Sequence, residues 1–251
     1  MTVTGYSIID TNVDTSRVLT RLKNAGIKTV IRYFARSMSS KVIRKSEFKA
    51  LQDMGFRIGI VYEGAGDHLS AFSSEMGYRD ALFSVSYGSD LGVPAGACIY
   101  FAVDFDASLT QIRNNIIPYF LGVNKAFEGK GYKVGVYGSG NVCRIISDQG
   151  LAAYTWVSCS YGWSGTRDYI ASNKWNLLQK LPQNTAGIDT DPNFSNPKKP
   201  DIGDFGPSPR GNQGVADKVT PVVPADPSKA VPTGEPWYSS MYKIVKGFFR
   251  E

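Results

Sequence analysis

Eight short β-rich runs alternate with longer stretches of helical pattern through the first 195 residues, and this alternation constrains the fold most. The runs occupy residues 6–10, 29–34, 57–63, 98–106, 132–138, 154–160, 175–181 and 187–191. Alternating strands and helices indicate parallel strands joined by right-handed crossovers, and eight such units are the number in a closed (β/α)8 barrel. The sequence therefore predicts a small α/β barrel of the TIM type, with short or missing helices after Gly138, where the spacing is tight.

The composition changes after this region. Eight of the thirteen prolines lie between residues 196 and 235, which is typical of an extended linker. The last residues, 236–251, place apolar side chains at helical spacing with lysine and arginine elsewhere on the surface. We therefore predict a barrel over 1–195, a Pro-rich linker over 196–235 and an amphipathic helix over 236–251. That helix is expected to dock on the barrel, or to contact a delivery protein or an anionic membrane surface.

Charge and residue counts exclude several classes of protein. The net charge of +6 favours anionic partners, but no helix or aromatic platform is typical of a nucleic-acid reader, so we expect no nucleic-acid binding. A single histidine, His68, and three separated cysteines do not form a zinc site. Nucleotide-binding glycine motifs and a GxSxG nucleophile motif are absent, so no cofactor is expected. The amino terminus lacks the basic flank and apolar stretch of a signal peptide.

The ends of the predicted strands are unusually acidic. In a parallel barrel the reactive groups lie at the carboxyl ends of the strands. The catalytic candidates there are Asp10, Glu63, Asp104, Asp106 and Asp189. Aromatic, amide and further acidic groups at the same rim are candidates for substrate binding, namely Tyr33, Tyr62, Tyr137, Trp156, Gln179 and Asp191.

Carboxylates gathered at a pocket mouth repel one another and lose hydration, so at least one of them should keep its proton near neutral pH. A protonated carboxyl group beside ionised neighbours is what glycoside hydrolysis requires, and aromatic rings and amides are suited to binding sugars. Two alternatives stay open. The aspartates could only cap the following helices, or Asp10, Asp104, Asp106 and Asp189 could hold a divalent cation in a metal-dependent phosphodiesterase.

Five segments resemble a known family. GYSIIDTN, IYFAVDFD, VGVYGSG, YTWVSCSYGWSGT and GIDTDPN occur in order and are similar to the bacterial glycoside-hydrolase-like domain family of unknown function, which is related to the family 25 lysozymes. The resemblance implies a barrel that cuts the β-1,4 bond after N-acetylmuramic acid in peptidoglycan. It further implies that Asp106 donates the proton, that Asp104 stabilises the oxocarbenium ion, and that Asp10 and Asp189 shape an acidic pocket.

One departure from the lysozymes leaves the acid open. They carry glutamate where this chain has Asp106, whose side chain is one methylene shorter, so Asp104, Asp106 or Glu63 could be the acid. The expected function is a muramidase, as an endolysin or an injected antibacterial effector, with peptidoglycan or a related glycan as its partner. It would be made without a signal peptide and would act at the cell wall or periplasm after lysis or through a secretion system. The alternatives are a non-catalytic glycan-binding barrel in envelope maintenance and the phosphodiesterase.

Overall fold

Eight strands close into a barrel with helices around it, as predicted. The structure is a computed structural model that describes residues 5–207, so the predicted helix at 236–251 and most of the predicted linker lie outside the described residues. The strands are β1 Ile8–Asp10, β2 Thr29–Phe34, β3 Arg57–Tyr62, β4 Cys98–Ala102, β5 Lys133–Gly138, β6 Tyr154–Val157, β7 Leu177–Gln179, β8 Gln183–Thr185 and β9 Ile188–Ser195. Strands β1 to β7 are parallel, and β9 pairs with both β7 and β1 to close the barrel.

The helices surround this barrel, and the last three become progressively shorter along the chain. They are α1 Leu19–Asn24, α2 Lys45–Asp53, α3 Ser74–Leu91, α4 Leu109–Gln111, α5 Ile117–Phe127, α6 Gly140–Asp148 and α7 Thr166–Ala171, with a π-helical segment, Ile112–Ile116, joining α4 to α5. Side-chain caps mark several starts; Ser108 and Gln111, for example, form a capping box. No helix follows β7 among the described residues, which confirms the prediction of short or missing late helices. Within residues 5–207, no helix is long and apolar enough to cross a membrane.

The last barrel strand differs from the prediction in its direction. Strand β9 is antiparallel to both of its barrel neighbours, with Asp191 opposite Asp10 and Asn193 opposite Gln179. The reversal comes from the hairpin between β8 and β9, whose two-residue turn has positive φ at Ala186 (57°) and Gly187 (89°). The amino-terminal half of β9 therefore lies at the carboxyl ends of the parallel strands.

The barrel interior is filled by alternate strand residues, and a segment after β9 closes its amino end. Ile202 is 4% exposed and belongs to the interior cluster, and its carbonyl accepts a hydrogen bond of 2.8 Å from the Tyr100 hydroxyl. Phe205 is also buried and forms backbone hydrogen bonds with Ile58. The Pro-rich composition predicted that residues 196–207 belong to the linker; in the structure this segment is part of the barrel domain.

Candidate active site

A pocket of about 120 Å³ lies at the carboxyl ends of the strands. Side chains on a strand alternate between its faces, so inward-facing positions at successive strand ends meet here. The lining residues are Tyr33, Val61, Glu63, Ala102, Asp104, Tyr137, Trp156, Gln179 and Asp191. Seven of these nine residues were predicted as catalytic or substrate-binding, so the structure brings most of the candidate site together.

Asp10 lies behind the pocket and is completely buried. Its carboxylate accepts hydrogen bonds from the Asn193 amide (2.7 Å), the Tyr33 hydroxyl (3.0 Å) and the Gln179 amide (3.2 Å). These donors are neutral, so they do not offset the loss of hydration as a cation would. Burial, followed by the charge of Asp191, raises the pKa of Asp10 to about 7.

Two amide side chains around Asp10 are oriented by aromatic residues. The Tyr137 hydroxyl donates to Gln179 Oε1 at 2.9 Å, which turns Gln179 Nε2 toward both Asp10 and Asp191. Trp156 Nε1 donates to Asn193 Oδ1 at 2.8 Å, which turns the Asn193 amide toward Asp10. Trp156 is 1% exposed and Tyr137 is 9% exposed. Because so little of either ring reaches solvent, these residues order the site from within.

Asp104 and Glu63 occupy the pocket mouth in different electrostatic surroundings. Asp104 is exposed to solvent, and no ion pair within residues 5–207 involves it. Desolvation in the pocket and the charges of Glu63 and Asp67 raise the pKa of Asp104. Glu63 instead pairs with Lys41, with 2.8 Å between Nζ and Oε1, and the Lys41 ammonium lies 5.5 Å from the centre of the Tyr33 ring.

Besides Asp10, which lies behind the pocket, three predicted site residues lie outside it. Asp106 is exposed and accepts hydrogen bonds from the Ser164 backbone N–H (2.8 Å) and hydroxyl (3.1 Å). Asp189 is exposed in the β8–β9 hairpin, because β9 runs in the direction opposite to that predicted. Tyr62 faces the helix layer, since it lies next to inward-facing Val61 and Glu63, and it donates to Asp80 at 2.7 Å.

Two residues of the site were not predicted from the sequence. Asn193 was passed over because β9 was predicted to end at residue 191. Lys41 was not among the predicted site residues; it precedes α2 and lies in the loop after β2. The alternating pattern of Asp189, Asp191 and Asn193 could have indicated a longer strand. The position of Lys41 depends on the path of the loop after β2, for which the sequence gives no comparable pattern.

The four aspartates considered for a cation are not brought together, since Asp106 and Asp189 lie away from Asp10 and Asp104. Within the described part of the chain, no group of three His, Cys, Asp or Glu side chains is arranged to hold a metal ion.

Comparisons with known proteins agree with this fold. FadG and YbfG, both uncharacterized proteins of Bacillus subtilis (strain 168), are 37% and 35% identical to this chain over 161 and 181 residues. These matches cover 61% and 64% of this chain but only 28% and 25% of the relatives, so the chain spans about a quarter of their length.

Among solved structures, the Tat-secreted protein Rv2525c of Mycobacterium tuberculosis, in complex with L-tartrate, is similar with a TM-score of 0.67 and 22% identity. The match covers 80% of this chain and 99% of that one. A family model for Rv2525c-like, glycoside hydrolase-like domains matches residues 20–198. The chain therefore belongs to the Rv2525c-like glycoside hydrolase-like domain family, as its sequence motifs predicted.

Proposed function

We propose that this domain hydrolyses peptidoglycan, as a muramidase that cuts the β-1,4 bond after N-acetylmuramic acid. The observation that carries the proposal is the convergence of Glu63, Asp104 and Asp191 on one pocket, with Asp10 directly behind it. Glycoside hydrolysis pairs a protonated carboxyl group with an ionised one. Membership of a glycoside hydrolase-like family supports this chemistry in general.

Asp104 is the group best suited to donate the proton. It is exposed at the mouth, where a glycosidic oxygen can approach, and its raised pKa keeps more of it protonated near neutral pH. Glu63 is less suited, because its carboxylate already pairs with the Lys41 ammonium. Asp106 is held by Ser164 outside the pocket. We therefore assign the acid to Asp104, in place of the Asp106 that the resemblance implied.

Asp191 supplies the negative charge on the opposite side of the pocket, next to Asp10. Both accept hydrogen bonds from Gln179 Nε2, and the pKa of each carboxyl is raised, mainly by burial. Two neighbouring carboxyl groups resist full ionisation, so the buried Asp10 retains the proton while Asp191 faces the pocket as a carboxylate. A carboxylate there stabilises the positive charge that develops on the sugar ring.

The proposed reaction takes place at the cell wall or in the periplasm, reached after lysis or through a secretion system. The net charge of +6 supports adsorption to an anionic envelope through an attraction that salt screens. Roles as an endolysin or an injected antibacterial effector fit the same chemistry.

The test is digestion of purified peptidoglycan, with reduction of the products and their identification by mass spectrometry. Wild type should release fragments with new reducing N-acetylmuramic acid ends. Asp104→Asn should lower the rate by roughly 100-fold or more, as expected for loss of a general acid. Asp106→Asn is the matched control, because it makes the same change two residues away outside the pocket, and it should retain activity.

Three results would contradict the proposal in different ways. If Asp106→Asn is inactive and Asp104→Asn is active, the acid is assigned wrongly. If wild type releases no new ends but sediments with peptidoglycan, the barrel binds glycan without cutting it. Activity that is abolished by a chelator and restored by a divalent ion would favour the phosphodiesterase alternative.

A further inference from the structure

Lys41 provides positive charge beside a pocket that is otherwise acidic. The charged side chains that line the pocket are Glu63, Asp104 and Asp191. Among the ion pairs of residues 5–207, one involves a pocket-lining carboxylate, and it joins Glu63 Oε1 to Lys41 Nζ at 2.8 Å. Lys41 is not itself a lining residue, so it acts on the pocket through its charge and through its contact with Glu63.

The position of Lys41 is fixed by its backbone neighbours and by an aromatic ring. Val42 forms a β-bridge with Tyr33, and the Ile43 backbone N–H donates to the Tyr33 carbonyl at 3.1 Å. Val42 and Ile43 are both buried. The Lys41 ammonium lies 5.5 Å from the centre of the Tyr33 ring, and the Lys41 side chain is 26% exposed. These contacts hold the ammonium beside the pocket, whereas a lysine on an open surface rotates freely.

Glu63 and Asp104 are brought together by the loop that follows β3. Glu63 begins this loop, and a Cβ atom added at Gly66 would lie 3.4 Å from Glu63 Cγ. The Gly66 carbonyl accepts a hydrogen bond of 2.8 Å from the Asp104 backbone N–H. Both carboxyl groups therefore lie at the same pocket mouth, where ionising one makes it harder to ionise the other.

Asp104 responds to the charges on both members of this ion pair. Desolvation raises the pKa of Asp104 most, the negative charge of Glu63 raises it further, and the positive charge of Lys41 lowers it. The other titratable groups that act on Asp104 or respond to it come from four further places, namely Asp67 in the loop after β3, Tyr137 on β5, Cys159 after β6 and Asp191 on β9. These side chains supply no positive charge, so Lys41 is the group that offsets the negative charge at the mouth.

We propose that Lys41 is a positioning residue that neutralises Glu63, so that Asp104 carries the proton at the pocket mouth and the reaction has a defined upper pH limit. This inference rests on the proposed function, because it assumes that Asp104 is the acid. Lys41 acts through Glu63 and does not touch the reacting atoms. Without Lys41, the charge of Glu63 is no longer offset, so Asp104 should keep its proton to a higher pH and the two carboxyl groups should compete for it.

The first experiment measures how kcat/KM of the full chain on soluble peptidoglycan fragments depends on pH. Activity falls at high pH as the acid loses its proton. Lys41→Met should move this fall to higher pH, so that its rate relative to its own maximum is roughly three- to tenfold above that of wild type on the falling limb. Glu63→Gln leaves the Lys41 charge unpaired and should move the fall to lower pH. A variant with both changes lacks both charges and should return toward wild type.

The second experiment needs no cleavage. Carboxyl carbon NMR of the full chain follows the titration of Asp104, whose signal is identified by its loss in Asp104→Asn. The midpoint of this titration should be highest in Lys41→Met and lowest in Glu63→Gln, with wild type and the double variant between them. Added salt should narrow these differences, because it screens the charges.

Two controls separate the charge of Lys41 from its packing. Lys41→Arg retains the charge, and Lys130→Met removes an exposed charge elsewhere, so both should follow wild type. Equal midpoints in Lys41→Met and wild type, or a loss of rate in Lys41→Met that is the same at every pH, would overturn the proposal, because a structural role alone does not move a titration. The expected order of midpoints in a protein that does not cut peptidoglycan would support the role of Lys41 and overturn the proposed hydrolysis instead.

Discussion

Asp10 links the chemistry of the pocket to the stability of the whole domain. Its pKa is about 7 in the folded protein, against 3.8 for an unperturbed aspartate. As pH rises from about 4 to about 7, the unfolded chain loses this proton while the folded protein keeps it, so stability should fall over that interval. The fall from this group is at most about 4 kcal/mol. Because asparagine stays neutral, Asp10→Asn should remove this part of the fall, as measured by urea unfolding at about pH 4.5, 6 and 7.5.

The exposed Asp106 provides the control for this titration. It lies outside the pocket, where its carboxylate accepts from Ser164, so Asp106→Asn leaves the surroundings of Asp10 unchanged and should keep the fall in stability that Asp10 causes. An unchanged fall in Asp10→Asn would show that other carboxyl groups cause it.

Individual site residues could be predicted wherever the rule of strand alternation was sufficient. Asp10, Tyr33, Asp104 and Gln179 were found because each lies on the inward face at or near the end of a strand; Asp104, for example, lies two residues beyond β4. Tyr62 and Glu63 are neighbours in the sequence, so they cannot both face inward. The alternation rule applied to this pair would have excluded Tyr62 from the site. Asp106 lies four residues beyond the end of β4, where strand alternation no longer determines the direction of a side chain.

A buried ion pair connects helix α2 to strand β2, which pairs with the strand that carries Asp10. Glu47 of α2 accepts from Arg32 Nε of β2 at 2.7 Å and from the Thr15 backbone N–H at 2.9 Å, and both charged side chains are fully buried. Glu47→Gln would leave the Arg32 charge without its partner. We expect a loss of about 3–5 kcal/mol in the free energy of unfolding, measured with urea.

A matched control lies on the next helix. Glu75 is also in the first turn of its helix and pairs with an arginine, Arg79, but its side chain is 58% exposed. Glu75→Gln should cost less than about 1 kcal/mol. Similar losses in the free energy of unfolding of the two variants would contradict this, because they would show that burial of the Arg32–Glu47 pair does not make the loss of its carboxylate more destabilising.

At the level of elements, the order of strands could be predicted but the direction of the last one could not. Alternation of strand and helix indicated eight parallel units, and seven of them are parallel. The reversal depends on a two-residue turn at Ala186–Gly187 and on the three-residue strand β8, which is too short to produce a recognisable pattern. Because of this turn, Asp191 and Asn193 lie at the site and Asp189 lies outside it.

On the scale of the whole molecule, the two ends of the barrel differ in how open they are to solvent. The carboxyl end is open and acidic, whereas the amino end is closed by the segment that contains Ile202 and Phe205. The Gly203 carbonyl in this segment also accepts from the Cys98 backbone N–H at 2.9 Å. The proline content predicted a linker here. Composition alone does not show that a few apolar residues in such a segment cover an open barrel end.

Closure of the amino end should therefore make a measurable contribution to stability. Ile202→Ala would remove buried apolar volume from the interior cluster and leave a cavity above Tyr100, so we expect a loss of about 2–5 kcal/mol in the free energy of unfolding. Leu109→Ala is the control, since that side chain is 54% exposed and its loss should change stability by no more than about 0.5 kcal/mol. Urea unfolding of both variants measures the difference. Equal stabilities would mean that 196–207 do not seal the barrel, because a segment that only rests on the surface leaves no cavity when one side chain is shortened.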